Sequence, residues 1–178
     1  MIPNHLLRLQ TMLRSMVEVI IPALDPDSQL ARDQAQILVA NLRLLSEQAD
    51  HSYEYEMVEL REYSALLARL IASESAGTAT MALQAACQSL LRDVEPIAAL
   101  PIPRHADLAA HVRALKAAVD GLLEAASDDG EPGHYSRVVA AVLEQAAAQN
   151  LRERVWFKAA DLDSEPDALP ASDQVLRL

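Results

Sequence analysis

"DPDSQLARDQAQILVANLRLLSEQ", residues 25–48, decides the fold. Leu30, Ile37 and Leu44 recur every seven residues, and Leu38 and Leu45 make a second row with the same spacing. Apolar residues at that period line one face of an α-helix, whereas a strand would alternate. Asp25 can serve as N-cap and Pro26 as the first helical residue, because proline has no N–H to leave unsatisfied and its φ is already helical. Gln34, Asn41 and Gln48 repeat with the heptad spacing too. At about 100° per residue they fall between the two leucine rows, inside the apolar face. A buried amide costs free energy unless it is hydrogen-bonded, and in helical packing one Asn can fix register. Two readings follow. The amides set helix pairing, within the bundle or across a dimer, or they line a small-molecule cleft. A single helix cannot define a pocket, which favours the first.

Working outward, prolines and glycines punctuate the chain at Pro3, Pro22–Pro26, Gly77, Pro96, Pro101–Pro103, "DDGEPG" at 128–133, Pro166 and Pro170. Six helices fit between them: about 4–21, 27–50, 51–75, 78–95, 104–126, and a last one opening after Pro132-Gly133 and reaching about 160. No Gly or Pro enforces a break near 50, so one bent helix over 27–74 is the alternative to two. The expected fold is an all-α, up-and-down bundle of about six helices over residues 1–160. Short connections favour antiparallel neighbours. An irregular, acidic, Pro-containing tail follows at 161–178, with a last turn at 172–178.

The totals agree. The chain has 178 residues, 51% of them hydrophobic but only 3% aromatic. Ala, Leu, Gln, Glu and Arg dominate, and these lose little side-chain freedom in a helix. The net charge of −11 is spread along the chain. It opposes binding to phosphate backbones and anionic membranes. The one cysteine, Cys87, excludes an intramolecular disulfide. No charged n-region precedes an apolar run at the start, as a signal peptide would have, and no apolar stretch approaches the ~18 residues of a membrane span. A cytoplasmic protein with neither nucleic-acid nor membrane partner is expected.

The densest chemistry lies in "DHSYEYEMVELREY", residues 50–63. On a helical wheel Tyr53, Met57, Leu60, Leu67 and Ile71 share one face, and His51, Tyr55, Val58, Glu62 and Arg69 share the other. Glu54 and Arg61 lie on one flank and Glu59 on the opposite flank. The only metal pair this spacing offers is His51 with Glu54. Bundle metal sites instead converge inward carboxylates with Glu-x-x-His on two helices. Glu131-x-x-His134 crosses a Pro-Gly turn, where helical spacing is not expected. The stretch therefore reads as an exposed acidic face. None of its four glutamates has a Lys or Arg four residues later, so the usual helix pairing is missing.

Elsewhere the signals are thin. His105 belongs to the first turn of its helix, and His111, six residues on, cannot chelate with it. Cys87 in "LQAACQSLL" reads as a small buried hydrophobe. "LRERVWFK", residues 151–158, places the only Trp and the only Phe beside Arg152, Arg154 and Lys158. Trp156 and Phe157 either lock the last helix onto the bundle or, as Trp and Arg often do, anchor an oligomer contact. No Gly-rich phosphate loop, nucleophile elbow or zinc spacing is present.

The stretch "LLRLQTMLRSMVEVIIPALDPDSQLARDQAQILVANLRLLSEQ" resembles a group of small uncharacterised bacterial helical proteins. These are encoded beside aminoglycoside-phosphotransferase-like and acyl-CoA-dehydrogenase-like enzymes. The similarity covers about residues 5–50: an apolar helix ending in "IPAL", a loop, and a helix carrying Val39-Ala40-Asn41. Where those proteins continue with Arg-Glu, this chain has Ser46-Glu47. The resemblance implies an accessory role near acyl-CoA or phosphotransfer metabolism and transfers no catalytic residue. The expected function is that of a non-catalytic accessory or interaction protein that self-associates as a dimer, needs no cofactor and can take a protein partner. The alternative is a small-ligand or metal-binding bundle. Candidate ligand or interface residues are Gln34, Asn41, Gln48 and Trp156, and candidate metal ligands His51 and Glu54.

Overall fold

A computed structural model describes residues 4–75, 77–100, 103–158 and 163–176. Their order is α1 (His5–Ser15), a π-helical turn (Met16–Ile20), α2 (Ile21–Ala23), α3 (Gln29–Gln48), α4 (Ser52–Ile71), α5 (Thr78–Ala98), α6 (His105–Asp128), α7 (Pro132–Trp156), a 3₁₀ turn (Pro166–Ala168) and α8 (Ser172–Val175). The fold is all-α, a helical bundle with six long helices and no strand among the described residues. Helices α3 and α4 are separate, joined by a turn at 49–51 in which His51 N–H donates to the Gln48 carbonyl.

Several boundaries differ from the sequence reading, each for a local reason. Asn4 caps α1, its side-chain oxygen accepting from the Leu7 N–H at 3.1 Å. The π-helical turn lies just ahead of Pro22, which has no N–H to continue an α-register. Helix α3 starts at Gln29 after Ser28, not at Asp25-Pro26. The Asp25 carboxylate accepts from the Asp27 N–H at 3.0 Å, and this local bond makes a turn where the helix was expected. Helix α5 passes through Pro96 to Ala98. Pro132 is the first residue of α7, and the Glu131 carbonyl already accepts from the Tyr135 N–H. That proline starts the helix and does not break it. Residues 159–162, where the last helix was expected to end, lie outside the described residues.

The chain divides into two compact units, Met1–Ser52 with Leu151–Val175, and Tyr53–Asn150 with Leu176–Leu178. In the first, the buried cluster is Met16, Ala35, Val39 and Leu42, with Leu9, Leu13, Ile21 and Leu24 against it. Near its end Arg154 grips Asp163 with two hydrogen bonds, of 2.8 and 3.0 Å. With the Glu165 N–H on the same carboxylate, this holds Asp163 down at about 2.

The second unit has the larger core. Leu60 and Leu67 of α4 and Leu108, Leu115 and Leu122 of α6 are fully buried, with Cys87 and Val94 of α5 and Val138 and Ala141 of α7 around them. Each such leucine contributes about 1.5–3 kcal/mol. The start of α5 is capped from outside the helix. Gly77 has no side chain to cap with, and the Asp129 carboxylate at the end of α6 accepts from the N–H groups of Ala79 (3.2 Å) and Thr80 (2.8 Å). The Thr80 side chain and N–H, then the Ala79 N–H, hold the Asp129 carboxyl below the usual carboxylate range. A Cβ at Gly77 would lie 2.0 Å from Asp129 Oδ2, so only glycine leaves room for this cap. Also from α5, Gln84 Nε2 donates to the carbonyls of Leu70 near the end of α4 (3.0 Å) and of Ser73 just beyond it (2.9 Å).

Candidate functional site

Helix α3 carries two apolar faces. The inner one is made of small and medium residues, Ala35, Val39 and Leu42 with half-buried Ala31, and it meets α1. The outer one is the leucine face picked out by the heptad spacing. Leu30, Ile37, Leu38 and Leu45 remain 73, 53, 47 and 51% exposed. Single exposed leucines are ordinary. Four on one helical stripe form a patch of the kind that marks an interaction site. Val17, Val19 and Ile20 of the preceding helical segment are exposed as well.

The amides keep company with this outer face. Gln34 and Asn41 are exposed and Gln48 is half-buried. Asn41 Nδ2 donates to the Ile37 carbonyl of its own helix at 2.9 Å. Gln48 Nε2 reaches the Trp156 carbonyl at 3.0 Å. The structure thus joins two of the sequence candidates, Gln48 and Trp156, with the amide satisfying a carbonyl that the last turn of α7 cannot pair. Trp156 is half-buried, and Phe157 beside it is 48% exposed.

The stretch at 50–63 corrects the expectation of a wet acidic face. Met57, Val58, Glu59 and Leu60 are all buried, so α4 is enclosed on every side at its middle. Glu59 Oε1 accepts from Lys116 Nζ of α6 at 2.7 Å and from Gln149 Nε2 of α7 at 3.2 Å. The Lys116 ammonium lies 5.1 Å from the centre of the Tyr63 ring, and the Tyr63 hydroxyl donates to Gln149 Oε1. Glu62 accepts from Gln145 at 2.6 Å, and Glu56 stands 2.9 Å from His105 Nδ1. Burial pushes the Glu56 carboxyl up, only partly offset by His105. The missing same-helix partners are therefore supplied from α6 and α7. Nothing in α4 alone shows that.

Polar contacts continue along the α4–α7 seam. Arg69 pairs with Glu144 at 2.7 Å, and Arg137 donates to the Glu74 carbonyl at 2.9 Å. Two clefts, of about 280 and 500 Å³, share Arg69 in their lining, the smaller one lined by Glu144 as well. His134, 1% exposed, sits at the end of the seam, its Nδ1 3.0 Å from the Glu74 carbonyl and 3.3 Å from Ser73 Oγ. A carbonyl only accepts, so Nδ1 carries the proton. It cannot then take one from Ser73, and the pair is no Ser–His base. Sequence spacing missed His134 because Pro132 was read as a break.

His51 lies in the turn before α4 and Glu54 in its first turn, and both are half-buried. Among the described residues no group of three or more His, Cys, Asp or Glu side chains gathers to hold a metal ion. Cys87 is buried, and burial raises its thiol pKa. No described helix is long and apolar enough to cross a membrane. No protein-family model, curated protein or solved structure matches the chain.

Proposed function

We propose that this protein is a non-catalytic interaction protein that self-associates through the outer face of α3. The observation that carries the reading is the exposed, heptad-spaced row of Leu30, Ile37, Leu38 and Leu45 with its amides. A second copy of α3 fits such a row. The spacing matches another helix of the same period, and a carboxamide is both donor and acceptor, so it can pair with its own kind. The seam is under three heptads long with amides at half its positions. The dimer it forms is accordingly weak, with a dissociation constant of about 1–100 μM, or roughly −8 to −5.5 kcal/mol. An accessory role near acyl-CoA or phosphotransfer metabolism, as the sequence resemblance implies, suits such a scaffold.

Sedimentation velocity over a dilution series tests the reading. The wild-type chain should move from dimer to monomer across that range, and Ile37→Glu/Leu45→Glu should stay monomeric with unchanged helicity. A dimer that survives both substitutions places the contact elsewhere. The second reading, a small-ligand bundle, draws on the α4–α7 clefts. Arg69→Ala should then reduce ligand retention without touching assembly.

A further inference from the structure

We propose that the two α3 helices pair in parallel about a two-fold axis, Asn41 facing the Asn41 of the second copy. This rests on the self-association reading and fixes its geometry. The spacing of the outer face alternates four and three: Leu30, Gln34, Ile37 and Asn41, all exposed, then Leu44 and Gln48, both half-buried in the single chain. In coiled-coil terms Leu30, Ile37 and Leu44 occupy d, and Gln34, Asn41 and Gln48 occupy a. Leu38 and Leu45 fall at e and widen the apolar seam.

Parallel, in-register pairing sets like against like in every layer. Leucine and isoleucine knobs meet their own kind, and each amide meets an amide. Asn41 Nδ2 has two hydrogens. One is committed to the Ile37 carbonyl, and the other is available to the second copy's Oδ1, so the layer satisfies itself. Antiparallel pairing brings a level with d. Every amide is then set against a leucine or isoleucine and stripped of water with no partner, which is costly. It also brings Asp33 toward Glu47 of the other copy, a like-charge contact. The polar positions thus favour one orientation over the other, the use of an a-position Asn that is best attested.

Single cysteines decide the orientation. Leu30→Cys and Leu44→Cys are made separately in a Cys87→Ala background, oxidised gently, and run without reductant. The two sites are fourteen residues apart, about 21 Å along the helix, and a disulfide needs Cα atoms within about 7 Å. Each variant should cross-link to itself nearly completely, because only parallel pairing superposes both sites on their own copies. If neither cross-links alone while Leu44→Cys mixed with Gln34→Cys does, a lies level with d, pairing is antiparallel and the inference falls, although self-association stands. A chain that sediments as a monomer at every concentration overturns both. Should the leucine variants lose helicity by circular dichroism, Gln34→Cys, at an exposed position, repeats the self-cross-linking test with the Asn41 layer intact, and its failure to cross-link to itself sinks the inference.

Discussion

Asn41 and Gly77 show how much one residue can decide. Asn41 is exposed in the single chain, so Asn41→Leu leaves the monomer's packing intact. It removes the central of the three amide layers that penalise wrong pairings. The variant should stay folded by circular dichroism and form tighter, less uniform oligomers, visible as a broadened distribution in light scattering coupled to gel filtration. An unchanged dimer would remove the amide from the account. Gly77→Ala drives a methyl into the Asp129 carboxylate and should cost about 1–2 kcal/mol of unfolding free energy in urea, the worth of a helix cap. Asp129→Ala should destabilise as well, and the double variant should lose little more, since both changes remove the same cap. The need for glycine at 77 is not legible in sequence, because the carboxylate that excludes a Cβ comes from fifty-two residues later.

Along the elements, helix type and number follow from the sequence, but the direction each helix faces does not. The heptad row of α3 does share one face, but that face is exposed, and so are Gln34 and Asn41, which the spacing placed inside an apolar face. The helix buries a different, smaller-residue face of Ala35, Val39 and Leu42 against α1. Periodicity finds stripes, and which stripe turns inward depends on what the neighbouring helix offers. For α4 the glutamates looked exposed because their partners lie on other helices. Lys116→Met should strand the buried Glu59 carboxylate. The loss should be about 2–3 kcal/mol, less than the 3–5 kcal/mol of a fully buried pair, because the Lys116 side chain is a third exposed. Glu59→Gln added to it should recover most of that loss in chemical denaturation. The contact between α7 and the following segment has its own signature in pH. Asp163 has a depressed folded-state pKa, so its contribution is complete above the unfolded carboxyl value of about 4. It is lost as pH falls through about 2. Asp163→Asn should therefore lower Tm at neutral pH, and the gap to wild type should close between about pH 4 and 2. A gap constant across that window would count against the ion pair.

For the molecule as a whole, the buried chemistry is spent on the fold. Several polar side chains in the larger unit's interior pair helices: Glu59 with Lys116, Tyr63 with Gln149, Gln84 with the end of α4. Outside, the apolar stripe on α3 stands with other exposed hydrophobics such as Val19 and Leu143, and folding does not explain why it is kept apolar. Native mass spectrometry of protein purified without chelator tests that most directly, since one spectrum gives subunit number and retained mass. The account predicts a bare dimer at twice the 19.4 kDa chain mass, reduced to monomer by Ile37→Glu/Leu45→Glu. A wild-type monomer in protein sprayed from above the proposed dissociation range, or a species carrying an extra mass that denaturation releases, would contradict it and move attention to the clefts between α4 and α7.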